Sequence, residues 1–306
     1  MITRESLTQL YSPIYDEYML EEYREDTQVH PQLFKAVMDS TKEYKVSSTG
    51  GFGDWVEVGE AESGDYEDQT QGYPKTYTPT KKVKKFQVSF EAVEQDEYAI
   101  LSKSGSAKSF GKGARYNVEK ACANVLNDGF ADSGPDGTYF FSNSHPKNRE
   151  ETGTLYDNLL DGALSHDNLE AAELQIADNA YDPAGIPMFN NEDPVLVFSP
   201  ALRGQVARLL GDRADLKPGT TNNDINRFAG RYRPLEWKML GAAEGGSDTA
   251  WYIIYPEYGY MKIIWNYKPR FTAWIDDEDD VYKFKGAMMF APGYDNYRAG
   301  FASTGA

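Results

Sequence analysis

The feature that most constrains this chain is a polar stretch, Gly59 to Thr80, set between two segments whose side chains alternate. On one side Trp55-Val-Glu-Val58 alternates like a strand. On the other, Phe86-Gln-Val-Ser-Phe90 places Phe86, Val88 and Phe90 on one face and Lys85, Gln87 and Ser89 on the opposite one. The spacing predicts an extended hairpin whose long tip has almost nothing apolar with which to bury itself. A loop of that length is uncommon inside a compact domain unless it acts outside that domain. The limbs also differ in charge. Residues 54–68 carry seven acids and no base, whereas residues 75–85 carry Lys75, Lys81, Lys82, Lys84 and Lys85 and no acid.

The rest of the chain divides around this hairpin. Residues 1–30 hold seven acids against Arg4 and Arg24, with tyrosines and leucines at no clean period, and read as an arm that lies on something. Pro31 is placed to open a short helix bearing Leu33, Phe34, Val37 and Met38. Residues 106–131 suit a long helix: Phe110, Ala114, Val118, Ala121 and Val125 form one stripe, with Cys122 and Leu126 beside it. Gly111 and Gly113 weaken its first turns by about 1 kcal/mol each. Thr138-Tyr-Phe-Phe141 reads as a short strand. From residue 165 helix and strand alternate, with Asp167 and Glu170 spaced like a capping box. Val195-Leu-Val-Phe198 is a fully apolar strand, followed by a helix with Ser199 as N-cap, Leu202, Val206 and Leu209 inward, and Gly211 as its stop. Trp251–Tyr255 and Met261–Trp265 are buried-type strands. Arg270–Ile275 and Tyr282–Phe290 flank the acidic turn Asp276, Asp277, Glu278, Asp279, Asp280.

Composition removes several function classes. With 31 Lys plus Arg against 48 Asp plus Glu, the net charge is −17, which excludes a general duplex-DNA binder and disfavours adsorption to anionic lipid. The 22 tyrosines and 15 phenylalanines exclude a disordered acidic chain. The single Cys122 permits no internal disulfide, and the first residues, Met1-Ile-Thr-Arg-Glu-Ser6, form no secretory signal, so folding in a reducing cytosol is expected. No apolar run reaches the ~20 residues of a membrane span.

Chemistry is equally sparse. His30, His145 and His166 sit in loops or at a helix edge, where a turn or surface role outweighs general-base duty without an orienting partner. Cys122 on its apolar stripe reads as a buried thiol. Nucleophile-elbow, zinc-protease and Walker spacings are all missing. Gly111-Lys-Gly-Ala-Arg115 follows a polar stretch, where a phosphate loop needs a strand. The acidic turn lacks EF-hand spacing and reads as a solvated turn or a partner contact. No cofactor or metal is implied. With 48 acids a glycosidase carboxylate pair has no specific signature, yet a carbohydrate-active enzyme or glycan-binding protein using the Tyr/Trp surface stays open. Seven bases between residues 203 and 233 (Arg203, Arg208, Arg213, Lys217, Arg227, Arg231 and Arg233) suit a nucleic-acid patch or a contact for an acidic sibling subunit.

The order of parts, with short motifs along residues 90–300, carries a resemblance. The motifs are Tyr139-Phe-Phe-Ser-Asn-Ser-His-Pro146, Asn158-Leu-Leu160, Leu169-Glu-Ala-Ala172, Asp182-Pro-Ala-Gly185, Pro194-Val-Leu-Val-Phe-Ser-Pro-Ala-Leu202, Ala207-Arg-Leu-Leu210 and Trp251-Tyr252. In this order they resemble the major capsid protein of tailed bacteriophages, and more narrowly the Mu-like major head subunit branch. The resemblance implies an α+β chain with the HK97-like capsid fold. Residues 1–50 become an N-terminal arm and short helix, 51–89 the E-loop hairpin, and 90–154 the P domain with its spine helix. Residues 155–265 become the A domain, and 266–306 the C-terminal strands of the P domain. It also implies a virion shell of hexamers and pentamers around packaged double-stranded DNA, assembled in the host bacterial cytoplasm. A separate scaffolding protein is expected rather than an internal one, because no long helical pro-segment precedes the arm, and a portal completes the partners. Inter-subunit contact is expected from Trp55, Asp65, Glu67 and Asp68 of the tip and from Lys75, Lys81, Lys82, Lys84 and Lys85 of the basic limb. Arg227, Arg231 and Arg233, and the turn Asp276 to Asp280, complete the expected contact set. Some members weld an E-loop lysine to an asparagine in the turn; here the turn holds only acids, so no covalent cross-link is expected.

Overall fold

The computed structural model describes residues 19–21, 23, 28–49, 52, 55–59, 63–64, 66, 68–69, 71–89, 91–92, 105–147, 149, 152–153, 155–179, 181–182, 186–188, 193–211, 226–276 and 278–306. In chain order the strands are β1 (Lys35–Met38), β2 (Tyr44–Thr49), β3 (Gln71–Tyr77), β4 (Thr80–Ser89), β5 (His145–Pro146), β6 (Leu155–Tyr156) and β7 (Leu159–Leu160). They continue with β8 (Val195–Phe198), β9 (Arg233–Glu236), β10 (Trp251–Ile254), β11 (Met261–Asp276), β12 (Val281–Tyr294) and β13 (Gly300–Ser303). The helices are α1 (Gly105–Asn127), α2 (His166–Asn179) and α3 (Arg203–Leu209).

Two sheets organise the molecule. The first runs β1-β11-β12-β4, with β1 parallel to β11 and the rest antiparallel. The second runs β7-β13-β10-β8-β9. Its central strands β8 and β10 are buried on both faces, which is why they read as continuous apolar runs rather than alternating ones. Val195, Val197, Tyr252 and Ile254 face the core built on α1, with Val118, Cys122 and Leu126. Leu196, Phe198, Trp251 and Ile253 face a second core closed by Leu169 and Ala172 of α2, Val206 of α3 and Phe228. A third cluster at the far end of the first sheet joins Met19 and Phe284 with Phe86, Phe110 and Phe271. The helix stripe expected at 106–131 is thus real, and α1 runs unbroken through Gly111 and Gly113.

Several local expectations are corrected. The helix at Pro31 is only a 3₁₀ turn, His30–Gln32, after which Lys35–Met38 pairs with β11; a segment this short gains more from a ladder than from an isolated helical turn. Trp55–Val58 is not a strand. Its alternation meets no partner strand among the described residues, and the hairpin is instead β2 on β3, from Tyr44↔Tyr77 to Thr49↔Gln71. The other expected limb lies within β4, which pairs with β12 and not with residues 55–58. Thr138–Phe141 forms no strand beyond a single Ser133↔Tyr139 bridge; Phe140 and Phe141 stack on each other in the core instead. The cap of α2 is Ser165, whose Oγ accepts from Asn168 N at 3.1 Å, not Asp167. Ser199 makes no cap bond and donates to the Asp248 carbonyl. Residues 266–306 divide between the sheets, since β13 lies between β7 and β10.

Candidate functional site

The hairpin is anchored at its root and bare at its tip. Tyr44 and Tyr77 stand opposite each other with ring centres 6.2 Å apart. Tyr77 is buried, its hydroxyl donating to Asp295 Oδ1 at 2.5 Å, and Asp295 also takes the Lys262 ammonium. Burial, and then the charge of Asp295, push the Tyr77 hydroxyl far above the ordinary tyrosine value. Gly293 makes room for this ring, because a Cβ there would sit 2.7 Å from Tyr77 Cε1. Lys75 holds its ammonium 5.4 Å over the Tyr294 ring, and burial lowers its pKa against the opposing pull of Asp295 and Asp132. Beyond this root the described residues are uncovered. Trp55 is 98% exposed, Tyr66 is fully exposed, and Phe52, Val56 and Val58 are exposed as well. Asp68 is exposed, while Asp65 and Glu67 lie outside the described residues. Exposed apolar groups concentrated on one segment mark a surface that another molecule covers.

The four remaining lysines lie not on the hairpin but on β4, an edge strand of the first sheet, where lysines discourage uncontrolled strand addition. Lys82 faces α1, donating to Asn117 Oδ1 at 2.9 Å with its ammonium 4.8 Å over the Phe290 ring, and burial lowers its pKa. Lys81, Lys84 and Lys85 are exposed, and Lys85 stands directly opposite Lys285. β4 thus shares its described ladder with β12, and among the described acids Glu57 and Asp68 lie in no strand paired to it.

The acidic turn is partly neutralised within its own hairpin. Lys283 reaches Asp276 and, at 3.3 Å, Asp279. The hydrogen bond from Lys283, followed by that of the Glu278 N–H, holds the Asp276 carboxyl below its usual range. Glu278, Asp279 and Asp280 close the turn, with Asp280 at φ 50°, and Asp277 lies outside the described residues. The arginine run is likewise occupied at home. Arg227 bonds Glu170 at 2.5 Å and Glu173 at 3.1 Å, Arg231 bonds Glu173, Arg203 bonds Glu236, and Arg233 donates to Gln32 Oε1 at 3.0 Å. Glu170 and Glu173 of α2 thus supply counter-charges to Arg227 and Arg231, and Glu236 of β9 one to Arg203, whereas Arg208 meets only the Gly204 carbonyl among the described residues; Arg213 and Lys217 lie outside them.

Nothing in the described residues assembles a catalytic group. Burial pushes the Cys122 thiol well above its ordinary pKa. His30 is held at 2.7 Å by buried Glu119, and His166 lies edge-on to Phe228. The tryptophans that a sugar platform would need are mostly core: Trp237, Trp251 and Trp265 are buried. No group of metal-ligating side chains is found among the described residues, and no described helix is long and apolar enough to cross a membrane. Sequence reasoning missed Asp295, Lys262 and Gly293 at the hairpin root, whose roles depend on a partner strand far away in the chain.

Residues 72–303 match the sequence profile of the phage capsid protein family. A search of curated proteins finds no match. Among solved structures, the fold is similar to a virus-like particle from Pyrococcus furiosus, with TM-score 0.55 at 12% identity over 96% of this chain and 99% of that one. It is similar to the capsid of the cyanophage P-SCSP1u, with TM-score 0.59 at 10% identity over 88% and 85%. It is also similar to Mycobacterium phage Che8, with TM-score 0.53 at 14% identity over 87% and 86%. The family match running through most of the chain makes this chain a member of the phage capsid protein family, a structural, non-enzymatic major capsid subunit on an HK97-like fold.

Proposed function

We propose that this chain closes the head of a tailed phage on the Mu-like branch, as hexamers and pentamers of itself around double-stranded DNA, assembled in the bacterial cytoplasm with a separate scaffolding protein and a portal. The Mu-like placement rests on the order of the motifs from Tyr139–Pro146 to Trp251-Tyr252. In this reading the β2–β3 hairpin is the E-loop, α1 and the four-stranded sheet are the P domain, and the five-stranded sheet with α2 and α3 is the A domain. Trp55, Asp68 and the β4 lysines Lys81, Lys84 and Lys85 remain contact residues; Arg227, Arg231, Asp276 and Asp279 have ion-pair partners within their own subunit.

The observation that carries the reading is the tip: an acid-rich segment with Trp55, Val56, Val58 and Tyr66 in solvent, on a root that is itself well anchored. Such a segment is stable in a single subunit only because it is polar overall, and it gains its apolar burial from a neighbour. Replacing residues 54–68 by a Gly/Ser linker tests this. The cut spares β3, whose Tyr77 is core, so the subunit folds with an unchanged melting temperature and gives no particles in sedimentation or electron microscopy. Particles of normal yield from that variant would remove the tip from assembly.

A further inference from the structure

A slot between α1 and the four-stranded sheet stands open among the described residues. It has a volume of about 170 Å³, and its lining runs from buried Met288 and half-buried Phe110 and Phe271 to exposed Gly113 and Lys84. A cavity of about 150 Å³ with apolar walls takes a benzene ring, so this one is of aromatic size. Two glycines here behave differently. A Cβ on Gly286 would lie 2.7 Å from Phe110 Cε1, so the home packing requires glycine there. A Cβ on Gly113 meets no atom within 4 Å. Glycine is the poorest helix former after proline, and at 113 the subunit's own packing does not call for it. What Gly113 does is leave its side of the slot clear.

The charge around the slot is specific. Lys84 is exposed and has no carboxylate partner among the described residues. The hairpin tip has the complementary character: Trp55 in solvent, Glu57 two residues on, seven acids and no base over residues 54–68. Phosphate groups would gain nothing from the apolar floor, which favours a protein segment over nucleic acid.

We propose that the slot receives Trp55 of a neighbouring copy of this chain, with the indole against Phe110 and Phe271 and Glu57 beside Lys84. This rests on the reading of the chain as a self-assembling shell subunit whose tip docks on another copy, and it names the receiving surface.

The test uses the full chain expressed in bacteria, read by sedimentation for particles and by thermal unfolding for the isolated subunit. Gly113→Leu puts a side chain into the slot from a Cβ position that meets no atom at home, and it improves the helix. The expected result is an equal or higher melting temperature with particle yield reduced at least tenfold; a normal yield overturns the proposal. Lys84→Glu should lower the yield, and adding Glu57→Lys in the same chain should restore it; no loss, or no recovery, overturns the pairing. Trp55→Cys combined with Gly113→Cys should, on oxidation, give covalent multimers, since the natural Cys122 is buried; no link, or a link within one chain, overturns the proposal. The linker replacement of residues 54–68 separates the two levels. If that variant still assembles, the docking-tip reading fails. If it does not assemble while Gly113→Leu does, only the assignment of the slot fails.

Discussion

His145 shows how much polar structure can hide in a segment that looks like a plain strand and loop. It is fully buried, with Nδ1 2.6 Å from Asp136 Oδ2 and Nε2 3.1 Å from Asn158 Oδ1, and its ring stacks on Tyr297 at 3.9 Å. Asn158 sets the hydrogen roles: its Nδ2 donates to the carbonyls of Phe140, Tyr297 and Gly300, and its Oδ1 accepts from Ser142 N. Nε2 of His145 therefore donates to that same Oδ1. Residues 138–146 are held by this network, which explains why they need no ladder. Burial alone would push the Asp136 carboxyl up, but hydrogen bonding and attraction from His145, with further bonds from Thr138, outweigh it and hold the carboxyl below its usual range. The folded value is lower than the unfolded value of ~3.9. The stabilisation is accordingly complete above about pH 4 and lost as pH falls through the folded value. Thermal unfolding of isolated subunits across this range should show the loss, and Asp136→Asn should flatten it. At neutral pH His145→Phe strands a buried carboxylate and should cost ~3–5 kcal/mol in urea unfolding.

At the level of elements, the contrast is between strands buried on two faces and a hairpin held only at its root. Leu196 is fully buried on the face of β8 that α2 and α3 cover. Leu196→Ala should cost ~2–5 kcal/mol and yield insoluble protein. Leu209, which the helical spacing alone would select, is only half-buried and should cost less. The hairpin responds differently. Gly293→Ala drives a methyl into the Tyr77 ring, an overpacking of ~1–3 kcal/mol at the root. Its expected signature is a modest fall in melting temperature with a larger loss of particles, because the root sets where the tip points. Equal loss of both, as for a core variant, would mean that the root does not orient the tip.

Across the whole molecule, stability should grade from the five-stranded sheet outward. Amide exchange should be slowest in β8 and β10 and fast over residues 55–59 in the isolated subunit, slowing there only in particles; a tip that exchanges equally fast in both states is not docked. What the amino-acid sequence determined unaided was local. The apolar run of Val195–Phe198, the stripe of α1 and the polar tip follow from periods of 2 and 3.6 and from what each segment can bury. What only the tertiary structure decided was partnership. Trp55–Val58 and Tyr44–Thr49 alternate alike, yet only the second pairs, because β3 lies beside it; β4 finds β12, and Lys35–Met38 becomes a strand because β11 offers its edge. The arginines near residue 230 look free until α2 brings Glu170 and Glu173 against them. A strand or a charge carries its own pattern in sequence, but the groups that satisfy it come from distant parts of the chain, and only folding brings them within reach.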